Sequence, residues 1–163
     1  MQPLRRAPLS PAALIRQTAA DFLNGGLDEK YSIEVQIDRS AQSLTLEADQ
    51  FLLLRALANL VNNCIRHNPD GCAITLGVRS RGKECVLWVR NQIASGEDPR
   101  PQFRRQRLQL PPLRQERGGL LPDGTAGHGT GLKLVEQIAR AHNGRAVLRG
   151  GEGYFCCEVW LPL

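Results

Sequence analysis

The sequence predicts an α/β fold, a two-layer α/β sandwich in which helices pack on one face of a mixed β-sheet. Three observations predict it. Apolar residues recur at helical spacing in three separate stretches, while other stretches alternate apolar and polar residues as half-buried strands do. The elements follow in the order α-β-β-α-β-β, then a long irregular segment, then α-β-β, which one mixed sheet with helices on one side accommodates. At 163 residues the chain is long enough to build a core for one domain without disulfide or metal.

The first helix opens at Ser10-Pro11, an N-cap followed by proline at the first helical position, and runs to about Asn24-Gly25-Gly26. Its apolar positions are Leu14, Ile15, Ala19, Phe22 and Leu23. Tyr31–Ile37 alternates strictly and reads as a strand with one buried face. A short second strand is expected over Ser43–Leu46. Asp49 caps a long helix to about His67, closed by the turn signal Asn68-Pro69-Asp70-Gly71. Strands Cys72–Val78 and Glu84–Arg90 follow, joined at Ser80-Arg81-Gly82-Lys83. The cluster Gly127-His128-Gly129-Thr130-Gly131 leads into a helix from Leu132 to His142, which Asn143-Gly144 terminates through a left-handed residue. Strands Arg145–Arg149 and Tyr154–Leu161 end the chain. Between the two halves, residues 97–126 hold five of the ten prolines and six arginines without sustained period, the composition of a lid or binding loop.

Composition narrows the function. Hydrophobic residues at 42% and charged residues at 23% exclude a disordered or fibrous chain. No apolar run approaches the roughly 20 residues that span a bilayer, and the first residues lack the apolar stretch of an export signal. A net charge of +5 suits a phosphate-bearing ligand or an acidic partner. The arginines are scattered and aromatics are only 5%, so the basic-aromatic stripe that marks a nucleic-acid binder is missing. Five cysteines, with no C-x-x-C spacing, read as buried reduced thiols, with Cys156 and Cys157 on opposite faces of a strand.

Two features carry chemistry. On the helix 49–67, Leu53, Leu54, Leu57, Leu60, Val61, Cys64 and Ile65 form the core stripe. Arg55, Asn59, Asn62, Asn63 and Arg66 fall on the other side. Asparagine is a mediocre helix former, so three within five residues require a reason other than helix stability. A row of carboxamide oxygens can ligate Mg²⁺ beside a substrate's phosphates, whereas a solvated face is the plainer alternative. The glycine cluster is neither a P-loop nor a dinucleotide fingerprint, because no strand directly precedes it and Lys133 is not followed by Ser or Thr. It still offers exposed amides at a helix N-terminus, which favour an anion.

Asn59-Leu-Val-Asn-Asn63-Cys-Ile-Arg66-His67 resembles the N box of the Bergerat-type (GHKL) ATPases, particularly the catalytic domains of sensor histidine kinases. Gly127-His-Gly-Thr-Gly131-Leu132-Lys-Leu-Val135 resembles their G2 box, and Ile138–Gly144 and the terminal Leu161-Pro-Leu163 resemble the histidine kinase branch. The resemblance covers nearly the whole chain. It implies the Bergerat fold and one ATP-binding domain over 1–163, with an ATP lid at 97–126. It also implies a two-component signalling kinase that binds Mg-ATP and passes the γ-phosphate to a histidine on a separate dimerisation domain. Asn63 then matches the Mg²⁺-chelating position, and Asn59 the asparagine one turn earlier beside the phosphates. Arg66 stands where a phosphate-binding lysine is frequent, and His67 where an aromatic borders the nucleotide. Gly127, Gly129, Thr130, Gly131 and Leu132 fall at the base of the lid. The implied partners are ATP, the histidine-bearing dimerisation domain and a response regulator, with no nucleic acid. The parent is expected to be a homodimer, and this domain cytoplasmic even where the parent is anchored in an inner membrane.

Three departures modify that expectation. Where the family has an Asp-x-Gly-x-Gly loop, with the aspartate accepting from the adenine amino group, this chain has Asn91-Gln92-Ile93-Ala94-Ser95. A carboxamide both accepts and donates, which weakens discrimination for adenine. Lys133 replaces a usual glycine. None of His67, His128 and His142 is followed by the acidic residue of a phosphoacceptor box, so the dimerisation helices are expected to lie outside this chain. The altered loop leaves an alternative: a nucleotide-free relative serving as a docking or phosphotransfer scaffold.

Overall fold

The computed structural model describes residues 3–92, 126–151 and 154–163. The elements are β1 (Ala7–Leu9), α1 (Pro11–Asn24), β2 (Tyr31–Ile37), a 3₁₀ turn at Arg39–Ala41, β3 (Leu46–Ala48), α2 (Gln50–His67), β4 (Cys72–Arg81), β5 (Glu84–Gln92), α3 (Ala126–Ala141), β6 (Arg145–Gly151) and β7 (Tyr154–Pro162). Five strands form one sheet in the order β2-β4-β5-β7-β6, with β2 parallel to β4 and the other pairs antiparallel. The expected α/β sandwich with a mixed sheet is the observed architecture. The expected lid lies outside the described residues except for Ala126, and Ile93 and Ser95 also lie outside them. No helix among the described residues is long and apolar enough to cross a membrane.

Two boundaries differ from expectation. The short strand expected at 43–46 is instead Leu46–Ala48, and it leaves the main sheet to pair antiparallel with β1. Three-residue strands are too short to show alternation, and Pro8 is tolerated because it stands in an edge pair. The second difference is α3, which begins at Ala126 and takes the glycine cluster into its first two turns. Glycine disfavours helix by about 1 kcal/mol per residue, so the cluster reads locally as loop.

The helix-side layer is the main core. Ile74, Leu76 and Val78 of β4, Leu87 and Val89 of β5, and Cys157, Val159 and Leu161 of β7 meet Leu53, Leu57, Leu60 and Val61 of α2 and Val135 and Ile138 of α3. Leu54 and Ile65 of the expected stripe are only half-buried, and Leu23 of α1 is exposed. The helices start as their caps dictate: Ser10 Oγ accepts from Ala13 N–H at 3.1 Å, and an Asp49 carboxylate oxygen accepts from Leu52 N–H at 3.2 Å. At the other end of α2, Tyr31 Oη donates to the Asn68 carbonyl at 2.7 Å and Asn68 Nδ2 donates to the Cys64 carbonyl at 2.9 Å. These bonds tie the last turn of α2 to the first residue of β2. His142 does the same for α3. It is buried, its Nδ1 bonds the Ile138 carbonyl at 2.8 Å, and its Nε2 accepts from Asp49 N–H at 3.0 Å. Only the tautomer protonated at Nδ1 satisfies both contacts.

All five cysteines are buried and outside any disulfide, with Cys157 in the helix-side core and Cys156 on the far side of the sheet. Burial pushes the Cys85 and Cys156 thiols up to about 12 and Cys64 higher still, which keeps them protonated and inert.

Among the described residues, side chains and no helix cover the far side of the sheet. Trp88 and Trp160 lie there with Val86 and Cys156. Trp88 stands opposite Gly77 in register, and a Cβ at Gly77 would overlap its indole, so the glycine makes the seat for the ring. Arg90 lies over Trp88 at 5.3 Å, and Arg145 over Trp160 at 4.4 Å. Between them Glu158, 5% exposed, accepts from Arg149 Nε at 2.7 Å, Trp160 Nε1 at 3.0 Å and Arg79 at 3.1 Å. Burial alone would raise the Glu158 carboxyl; the bonds from Arg149, Trp160 and Arg79 outweigh it and hold the group below its ordinary value of about 4.5. A depressed carboxyl stabilises the fold above its unfolded value and loses that contribution as pH falls through the folded value. Glu158→Gln is therefore expected to cost about 1–3 kcal/mol near pH 7, less than a fully buried pair because both arginines are partly exposed. The gap from wild type in urea denaturation should narrow below about pH 4.5. An equal gap at pH 7 and pH 3 would show that the charge is not what stabilises this face.

Candidate functional site

The asparagine face of α2 is not uniform. Asn62 is exposed, Asn59 is half-buried and Asn63 is buried at 7% exposure. What singles out Asn63 is α3, which packs against α2 and brings Gly131 over the carboxamide. A Cβ built on Gly131 would lie 3.6 Å from Asn63 Oδ1 and 3.7 Å from Nδ2. Larger side chains at 131 would fill that space. Asn63 Nδ2 is nonetheless without a hydrogen-bond partner. A buried amide donor left unpaired costs about 1–3 kcal/mol, and such groups are few in native structures.

A second carboxamide shares this condition. Asn91 follows Cys85, Leu87 and Val89 on alternate positions of β5, so it lies on the helix-side face of the sheet. Its register partners are Ile74 on β4 and Phe155 on β7. It is 1% exposed, and its Nδ2 also lacks a partner. Asn63 on α2 and Asn91 at the end of β5 thus both lie on the helix side of the sheet, and α2 packs over β5. Among the described residues they are the only asparagines with unpaired buried nitrogens.

The glycine cluster falls differently from expectation. Gly127 lies in the first turn of α3, where backbone N–H groups have no intrahelical acceptor, and Gly129 stands at the edge of that turn. Gly131 lies in the second turn, where the amide is taken by the i→i−4 ladder. Its contribution to the layer is its missing side chain beside Asn63, not its N–H. Thr130 stands beside it in the same helix, and Leu132 is half-buried against the core. At the end of α2, Arg66 is exposed and His67 half-buried.

Sequence reasoning missed the supports of this layer. The His142 link to Asp49 fixes where α3 crosses α2, and nothing in the local sequence around His142 signals a partner 93 residues away. Asp49 has a further role beyond capping: its carboxylate accepts from Arg5 N–H at 3.0 Å, and this bond, with the one from Leu52, holds the group below its ordinary value despite burial.

The family model of the histidine kinase-, DNA gyrase B-, and HSP90-like ATPases matches residues 48–163. Among similar sequences, the sensor-like histidine kinase SenX3 of Mycobacterium bovis is 34% identical over 113 residues, 69% of this chain and 26% of that protein. The alginate biosynthesis sensor protein KinB of Pseudomonas aeruginosa is 27% identical over 154 residues, 94% of this chain and 24% of that protein. The chain spans about a fifth to a third of the length of the curated relatives it matches. Among solved structures, the nucleotide-free catalytic domain of histidine kinase ThkA superposes with a TM-score of 0.72 at 19% identity, covering 98% of each chain. The Acinetobacter baumannii histidine kinase AdeS superposes at 0.66 with 16% identity, covering 99% of this chain and 68% of that one. The fold, and a family match that begins one residue before the α2 cap, establish that the chain belongs to the histidine kinase-, DNA gyrase B-, and HSP90-like ATPase family.

Proposed function

We propose that the chain is the ATP-binding catalytic domain of a two-component sensor histidine kinase, taking Mg-ATP between α2, α3 and the end of β5. The observation that carries this reading is the pair of buried carboxamide nitrogens of Asn63 and Asn91, both on the helix side of the sheet and neither bonded by a protein group. Both are hydrogen-bond donors that a ligand acceptor would satisfy. The family match and the relatives named as sensor kinases support the same reading.

In this reading the phosphates lie at the α3 end. The free amides of its first turn and its dipole favour anions, and Asn63 Nδ2 donates to a phosphate oxygen beside Gly131. Asn63 Oδ1 is a hard donor that would hold Mg²⁺, with Asn59 one turn earlier as a further carboxamide. Mg²⁺ takes few protein ligands and completes its shell with water and phosphate. When bound, it supplies neutralisation of the phosphate charge. Arg66 adds a mobile positive charge at the mouth, and His67 borders it. The chain's own task is to orient the triphosphate so that the γ-phosphoryl faces an acceptor histidine supplied by a separate dimerisation domain. A response regulator and a homodimeric parent are the remaining partners of this proposal, with 1–163 as the one catalytic domain.

Titration of the chain with a fluorescent ATP analogue tests the reading. Saturable binding that tightens when Mg²⁺ is added is expected. No binding in either condition would favour the nucleotide-free scaffold, for which the replacement of the expected aspartate by Asn91 is the specific argument.

A further inference from the structure

We infer that Asn91 makes the base pocket two-valued, so that this chain takes 6-oxopurine nucleoside triphosphates as well as ATP. The inference rests on the nucleotide reading above and goes further, to the substrate class. With the phosphates at the α3 N-terminus and Asn63, the other asparagine among the described residues whose buried nitrogen no protein group accepts from, Asn91 at the end of β5, is left for the base.

A carboxamide presents a donor and an acceptor side by side. Adenine presents an amino donor at position 6 beside the N1 acceptor, so Asn91 Oδ1 and Nδ2 match both. Guanine and hypoxanthine present the reverse, a carbonyl acceptor at position 6 beside an N1–H donor. Turning the amide about its last torsion matches that edge equally, because this torsion is broad and two-fold. A carboxylate in the same place accepts only, and it would repel the 6-carbonyl. Burial makes the choice consequential: at 1% exposure Asn91 is withdrawn from bulk solvent, so a base edge that leaves Nδ2 unpaired is penalised.

Displacement of a fluorescent ATP analogue from the 163-residue chain, in excess Mg²⁺, tests this with four competitors: ATP, GTP, ITP and purine riboside triphosphate, which has no substituent at position 6. In the wild type, ATP, GTP and ITP are expected to compete within about fivefold of one another, and the unsubstituted purine more weakly than all three. In Asn91→Asp the preference for ATP over GTP and ITP should rise by at least about tenfold. A wild type that already rejects GTP and ITP while binding ATP overturns the inference and leaves the nucleotide reading intact. Equal competition by the unsubstituted purine overturns it as well, and that arm needs no variant to fold. Failure of the probe to bind at all overturns the nucleotide reading itself, and this inference with it.

Discussion

Gly144→Ala is expected to destabilise the fold by about 3 kcal/mol or more, lowering the melting temperature by roughly 10 °C. The reason lies in how α3 ends. Asn143 N–H bonds the Arg140 carbonyl at 2.9 Å and Gly144 N–H bonds the Ala139 carbonyl at 2.8 Å, the paired bonds of a Schellman cap. Asn143, at φ 62°, takes the left-handed position that glycine usually fills. Gly144 is therefore free of that duty and serves another. A Cβ there would overlap the Trp160 carbonyl oxygen on β7. That oxygen belongs to a central strand paired on both sides, so it has no room to yield. The comparison is Gly82→Ala in the β4–β5 turn, where φ is +61° and nothing lies within 4 Å of the added carbon. Backbone strain alone should cost about 1 kcal/mol there. Thermal or urea unfolding of both variants checks the difference; equal losses would mean that the close approach to Trp160 does not constrain residue 144.

The two glycine-dependent contacts mark where the sequence stops being informative. Asn143-Gly144 announces a helix end, but which residue carries the left-handed turn, and why glycine follows, depends on a strand 16 residues further on. Likewise Gly77 in a strand reads as a weakness until register places Trp88 opposite it. Local pattern was sufficient for the long elements. Strict alternation marked β2, and the apolar stripe with its Asp49 cap marked α2 within a residue of its observed start. The Asn59–Asn63 spacing and the glycine cluster were legible for the same reason, since both are short-range. What was not legible is which asparagine of α2 is buried. Asn62 and Asn63 are neighbours with the same propensity, and only the passage of α3 over one of them, fixed through His142 and Asp49, separates an exposed side chain from an enclosed one. The Glu158 cluster was hidden because Arg79, Arg149 and Glu158 come from three strands whose pairing no local window reveals.

Asn63→Ala is expected to weaken Mg-ATP binding by about 10- to 100-fold while changing the stability of the ligand-free protein little. The two halves of this expectation have one physical origin. In the free protein no protein group accepts from Asn63 Nδ2, so its removal breaks no hydrogen bond within the chain. What the alanine variant loses is the packing of a small side chain beside Gly131, a modest cost. In the complex the same group would donate to a phosphate oxygen and its Oδ1 would hold the metal, so the loss should be that of a hydrogen bond to a charged partner, about 1.5–3 kcal/mol. Asn63→Asp separates the two functions. It keeps a metal-binding oxygen but loses the donor and places a carboxylate against phosphate, so binding of metal-free ATP should fall further than binding of Mg-ATP. It should also destabilise the free protein, because an unpaired carboxylate replaces a neutral amide in a buried position. Calorimetric titration with ATP, with and without Mg²⁺, alongside urea unfolding of both variants, reads all four quantities. Destabilisation of the alanine variant with unchanged Mg-ATP affinity would contradict both halves and make Asn63 a structural residue of the α2–α3 contact.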